Sequence, residues 1–149
     1  MRKWISAAAV GMALMALVSC GKSDHFDPNT LEQSTVGSDV TMRLSQKEFR
    51  SVPSELSLVI TNHTGEEYTY GSEYRLEVYL DDQWYILPAE EELYFTSIGV
   101  MLQPDGINSE NIAPEEYREH LPAGHYRVVK GFYGAGGEIT AAAEFSISE

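Results

Sequence analysis

From Val40 to the end of the chain, apolar residues recur at every second position, and this period limits the fold more than any other feature of the sequence. It is clearest at the end, where Ile139, Ala141, Ala143, Phe145 and Ile147 share one parity and Thr140, Glu144, Ser146 and Ser148 the other. Successive side chains of a strand point to opposite faces, so this pattern predicts a strand with one buried and one wet face. Val40, Met42 and Leu44 repeat it, as do Leu56, Leu58 and Ile60, and then Tyr74, Leu76, Val78 and Leu80. Asn62-His63-Thr64-Gly65 supplies a turn after the second of these, and Asp81-Asp82 a tight turn into a strand over Gln83 to Leu87. Pro88 and Glu90-Glu91-Glu92 then break the sheet before a short strand at Leu93 to Phe95. The one helical candidate is Pro114 to His120, with Pro in the first turn, Glu115 and Glu116 at the positive end of the dipole, and Leu121-Pro122 as a stop. About seven short strands with short connections predict an all-β, antiparallel β-sandwich.

Gly131 to Gly137, reading GFYGAGG, resembles a phosphate loop only in composition. It joins two strands, and no helix follows whose N-terminus would hold an anion, so a flexible hairpin is expected. Just before it, Gly124-His125-Tyr126-Arg127-Val128 puts a tyrosine behind a Gly turn at a strand start. In immunoglobulin-like domains a tyrosine so placed bonds its hydroxyl to upstream backbone, two residues ahead of a core cysteine. Val128 occupies the cysteine's place here, which makes Gly124, Tyr126 and Val128 the fold-defining residues and leaves the sheets to be joined by apolar packing alone.

The N-terminal stretch has a different organisation. Arg2 and Lys3 are followed by an uncharged apolar run from Trp4 to Val18, and then by Ser19, Cys20, Gly21, Lys22 and Asp24. This is the layout of a secretory signal. It meets polar residues before the roughly 20 apolar residues that a membrane span needs. Leu17-Val18-Ser19-Cys20 resembles the lipobox of bacterial lipoproteins, and the only cysteine in the chain sits at its lipid-accepting position. The resemblance implies cleavage before Cys20 and a multi-chain lipid anchor, since a single acyl chain holds only marginally. A cleaved leader beside an incidental thiol is the alternative. Residues 1–19 are thus expected as a lipoprotein signal peptide, residues 20–37 as a lipidated terminus and flexible tether of roughly 20–25 Å r.m.s. span, and residues 38–149 as one domain.

From Val40 to Ile147 the chain resembles the bacterial immunoglobulin-like domains appended to lipoproteins. The likeness is carried by Leu56-Ser-Leu-Val-Ile-Thr-Asn62, by Tyr70-Gly71 with Tyr74-Arg-Leu-Glu77, by Gln83-Trp84-Tyr85, and by Leu121 to Lys130. It implies an extracytoplasmic sandwich and says little about an activity. A looser likeness, through Asn62 and the later Gly-x-Tyr, is to the small sandwich of the intracellular proteinase inhibitor of bacilli.

Charge and chemistry narrow the function. Without Arg2 and Lys3, 8 basic residues face 23 acidic ones, a net of -15 against -13 for the whole chain. A phosphate backbone is repelled by such a surface, so no nucleic-acid partner is expected. His25, His63, His120 and His125 have no metal-ligating spacing, Asp81-Asp82 and Asp105-Gly106 lack the calcium-loop pattern, and no serine sits in a nucleophile elbow. No catalytic residue, metal or cofactor is therefore expected. Eight of the sixteen aromatic residues fall between Tyr68 and Phe95, and Tyr79, Trp84 and Tyr85 are the candidate binding residues, with alternation sending Tyr79 and one of the other two away from the core. The expected function is a non-enzymatic binding or assembly module, anchored to the cell membrane through Cys20 and facing the extracytoplasmic side, with an envelope protein or glycan as partner. The alternatives are a protease inhibitor using the Gly134–Gly137 or Glu90 region, and a hydrolase whose carboxylates converge from distant loops.

Overall fold

The computed structural model describes residues 25–149; Cys20 and the signal stretch lie outside the described residues. The strands are β1 (Glu32–Ser34), β2 (Val40–Leu44), β3 (Glu48–Phe49), β4 (Leu56–Asn62), β5 (Tyr68–Tyr70), β6 (Arg75–Leu80), β7 (Gln83–Ile86), β8 (Val100–Leu102), β9 (Ile107–Ile112), β10 (Gly124–Gly134) and β11 (Gly137–Ile147). One helical turn, α1 (Pro114–Tyr117), precedes β10. They form a sandwich: an eight-stranded sheet in the order β1-β7-β6-β10-β11-β3, extended by β5 and β8 beside β10, faces a three-stranded sheet β2-β4-β9.

Alternation sets which face is dry. Leu58 and Ile60 of β4, Leu76 and Val78 of β6, Val128 and Phe132 of β10 and Phe145 of β11 are all buried in the core between the sheets. The β10–β11 ladder is unbroken over eleven pairs from Gly124↔Ile147 to Gly134↔Gly137, leaving Ala135-Gly136 as the tip. Gly134 is required there, since a Cβ would lie 2.8 Å from the Tyr68 ring. The Asp81-Asp82 turn joins the Leu80↔Gln83 pair with both residues left-handed, at φ 48° and 62°. That is the two-residue geometry whose twist matches the flanking strands, although Asn-Gly is the sequence it favours.

Three expectations need correction, and one strand has no counterpart among them. There is no strand over Leu93 to Phe95: the Phe95 ring packs on Tyr74 at 5.6 Å and the Thr96 amide bonds to Ser72 Oγ, so side chains hold this stretch rather than a ladder. β9 went unforeseen because its inward positions, Asn108 and Glu110, are polar. Pairing is antiparallel except between β3 and β11, which run parallel. Finally, the stretch expected as tether is folded from His25 onward as far as its end. Asp27 caps a 3-10 turn over Pro28–Thr30, and β1 then pairs with β7 through Glu32↔Ile86, Gln33↔Tyr85 and Ser34↔Trp84. Phe26 and Leu31 pack against the core.

Candidate functional site

β10 organises both faces of the large sheet. Its even positions point at the second sheet and its odd positions away from it. At Tyr126 the hydroxyl donates to the Pro122 carbonyl at 2.5 Å, four residues upstream, and the ring stacks on Phe145 at 5.7 Å. Gly124 fits beneath it, because a Cβ there would crowd the ring at 3.3 Å. Val128 is fully buried. Burial pushes the Tyr126 hydroxyl well above its ordinary range, so it stays a donor at all physiological pH values.

Two residues further in, apolar packing gives way to charge. The Lys130 side chain has no solvent exposure; its Nζ donates to the carbonyls of Gly71 and Glu73, each at 2.9 Å, and lies 2.7 Å from Glu110 Oε1 on the opposite sheet. The contact with Glu110 is ionic rather than a directed hydrogen bond. Asn108, the neighbouring inward residue of β9, donates to the Tyr70 hydroxyl at 3.1 Å. The sheets are thus joined by an ion pair as well as by apolar packing, contrary to the expectation from sequence. The cost of burying this group is offset by the two carbonyls that accept from it and by the carboxylate beside it.

The outer face of the same sheet carries the candidate binding residues. Glu77 points away from the second sheet yet is 0% exposed, accepting from Arg75 Nε at 2.8 Å and from Arg127 Nε at 2.6 Å. The Arg127 guanidinium lies 4.3 Å over the Trp84 ring, a cation–π contact that shields one face of the indole. Tyr79 and His125 close the cluster, with ring centroids 5.0 and 5.3 Å from Trp84, and His125 Nε2 is 3.1 Å from Glu144 Oε2. Tyr79 is 38% exposed and Trp84 half-buried. Tyr85, the third candidate, has the opposite parity and is 7% exposed, packed in the core, so it has no surface to offer a ligand.

Part of this face is covered by the N-terminal stretch. Arg75 Nη2 donates to Ser34 Oγ at 3.2 Å, and Gln83 Nε2 donates to the Ser34 carbonyl at 3.1 Å. Thr35, Val36 and Gly37 then line a cleft with Arg75, Glu138, Ile139 and Thr140, so the chain crosses from the β7 edge to the β11 edge before entering β2. Glu77 and Val129 are buried on this face, which alternation alone would leave wet, and the strap reaches Glu77 through Arg75, which bonds to both Ser34 and Glu77. The Tyr79–Trp84–His125 end is open, as is the opposite end at Tyr133 and Glu138.

The loops give the alternative chemistries little support. Glu90, Glu91, Glu115, Glu116 and Glu119 line one cleft, but Glu90 is engaged by Arg118 at 3.3 Å and by the Glu119 amide, while the other four are exposed. Acid catalysis by a carboxyl pair needs one member kept from water, and this cleft does not dry any of them. Among the described residues, no three His, Cys, Asp or Glu side chains gather as metal ligands. The Gly134–Gly137 tip is too short for an extended inhibitory loop. Asn62, at a glycosylation-like triplet, is buried, with its amide donating to the Glu66 and Gln103 carbonyls and accepting from Thr64.

A two-sheet sandwich with a tyrosine bonded across the entry to its longest hairpin defines an immunoglobulin-like domain. Residues 37–146 match the family model for a bacterial Ig-like domain, and the chain belongs to that family. No curated protein matches it. Among solved structures it is similar to the ASH / PapD-like domain of human CEP192 (PapD-like domain 7), at 14% identity over 84% of this chain and 99% of that one, with a TM-score of 0.29. At that score the two share too little geometry for one to inform the other.

Proposed function

We propose that this protein is a lipid-anchored binding or assembly module of the bacterial envelope, held to the membrane through Cys20 and displayed on the extracytoplasmic side. The observation that carries the binding part is the Tyr79–Trp84–His125 cluster. It is a partly exposed aromatic patch on the outer face of the large sheet, and Arg127, held by Glu77, packs on its Trp84 ring. Rigid aromatic groups with a polar edge suit an envelope protein or glycan. The anchoring part is supported by the position of the sole cysteine at the end of an uncharged apolar run.

Tyr79→Ala is the cleaner test of the patch, because Trp84→Ala also uncovers Arg127. Capture of envelope components by immobilised protein should fall with Tyr79→Ala while the melting curve stays in place. Equal capture by variant and parent would remove the patch from the proposal. For the anchor, metabolic labelling with a palmitate analogue should be lost in Cys20→Ser; retention of label and membrane fraction by that variant would refute it.

A further inference from the structure

The connection from β7 to β8, Leu87 to Gly99, is long for a sandwich and has no secondary structure of its own. Loops of this length are usually functional or disordered. This one is pinned: Phe95 packs on Tyr74, Thr96 N bonds to Ser72 Oγ at 2.9 Å, and the Glu90 amide bonds to the Tyr117 carbonyl at 3.0 Å. Yet Tyr94 and Ile98, which flank the pinned pair, are 87% and 71% exposed, and Met101 and Val100 just beyond are also exposed. Leu93 to Pro104 is the longest run without Asp, Glu, Lys or Arg among the described residues, 12 positions in a chain of net charge -13. The edge strand it leads into differs from the other edges. β1, β2, β3 and β9 carry Glu32, Arg43, Glu48 and Glu110, whereas β8 carries no charge. Charges on an edge keep other molecules off it, and here they are missing.

The place of this loop indicates what covers it. The described chain starts on the same flank: Phe26 lies under Arg118 at 5.3 Å, and Arg118 pairs with Glu90 and donates to the Pro88 carbonyl at 2.8 Å, at the root of the loop. From His25 back to Cys20 is five residues, a contour of at most about 18 Å. A lipid at Cys20 therefore keeps this flank within reach of the bilayer.

We propose that Tyr94 and Ile98 make a second contact with the membrane, entering the headgroup boundary of a neutral, zwitterionic lipid surface. The inference rests on the lipid-anchor reading. Two apolar side chains bind a bilayer poorly alone, but a tether this short makes their contact intramolecular in effect. Tyrosine is suited to the interface, with an apolar ring and a polar tip. Glu91 and Glu92 before the run and Asp105 after it oppose an anionic surface, so the contact weakens as anionic lipid is added.

The test uses the full lipidated protein in phosphatidylcholine/phosphatidylethanolamine vesicles. Ser97→Cys carries an environment-sensitive fluorophore, with Thr41→Cys on the other sheet as reference. On reconstitution the probe at 97 should shift to the blue and lose quenching by aqueous iodide, whereas the probe at 41 does neither. Adding phosphatidylglycerol should reduce the shift, and Tyr94→Ser/Ile98→Ser should abolish it. A silent probe at 97 in protein whose mass shows the lipid overturns the second contact alone; absence of the lipid mass overturns the anchor and the contact together. A shift that appears without vesicles and grows with protein concentration would mean that a second copy covers the loop, and would also overturn the proposal.

Discussion

Arg127 and Lys130 lie three residues apart on β10, and both are buried, but by different means. Lys130 is covered by the opposing sheet, and its acceptors come from Gly71, Glu73 and Glu110, all distant in sequence. Arg127 is covered by its neighbours on the same sheet and by Trp84, and its partner Glu77 is shared with Arg75, which the strap engages through Ser34. The first arrangement closes a sandwich, so it depends on the two sheets being docked. The second is assembled within one sheet and depends on a peripheral segment. Buried charge is therefore retained on both faces of one strand, and losing it has different consequences on each.

The largest effect is expected inside. Lys130→Met should lower stability by about 3–5 kcal/mol, the range for breaking a buried ion pair, read as a shift of the denaturant midpoint at constant slope. Lys130→Met/Glu110→Leu should recover the ionic part but not the share due to the two carbonyls left without a donor. If the double variant is no better than the single, the Glu110 contact contributes nothing. On the outer face, Glu77→Ala should cost about 2–4 kcal/mol, less than inside because Arg75 can turn to water. It should also raise amide exchange at residues 32–34 ahead of the rest; uniform exchange would argue against a separate peripheral unit.

Alkaline pH offers a smaller probe of the inner face. Tyr74 donates to the Ala113 carbonyl at 2.7 Å, and burial pushes its hydroxyl from 10.0 up to about 12. A raised folded value means the protonated form is favoured in the native state, so its contribution is complete below pH 10 and is lost as pH rises through 12. Tyr74→Phe should cost about 1 kcal/mol at neutral pH and flatten that decline; an unchanged alkaline slope would assign it to other groups, such as Tyr126, which burial also raises. Smallest is a gain: Asp81→Asn with Asp82→Gly should stabilise by about 0.5–1 kcal/mol, since both positions are left-handed. A loss would mean that the aspartates contribute more than turn geometry.

Sequence pattern carried most of the inner face and little of the outer one. β2, β4, β6 and β11 were legible because their inward residues are apolar at strict alternation, and the tyrosine at 126 was legible because a Gly turn precedes it. β9 was hidden by inward Asn108 and Glu110, and Lys130 by the general rule that lysine faces water. The only available signal for Lys130 was its parity with Tyr126 and Val128. β1 was hidden because it is three residues long and gains order only by pairing with β7. Alternation sends Tyr79 and one of Trp84 or Tyr85 to the outer face, and only the register Val78↔Tyr85 and Tyr79↔Trp84 decides that the one is Trp84.

The strap has a mechanical meaning as well. Tension transmitted from the first residues of the domain arrives at β1 before any other strand, and β1 is held to β7 by only three residue pairs. The β10–β11 ladder, at eleven pairs, lies behind it in the load path. A pull from that end therefore loads the three-pair β1–β7 ladder first, and peeling it would free Arg75 Nη2 from Ser34 Oγ before the long hairpin is strained.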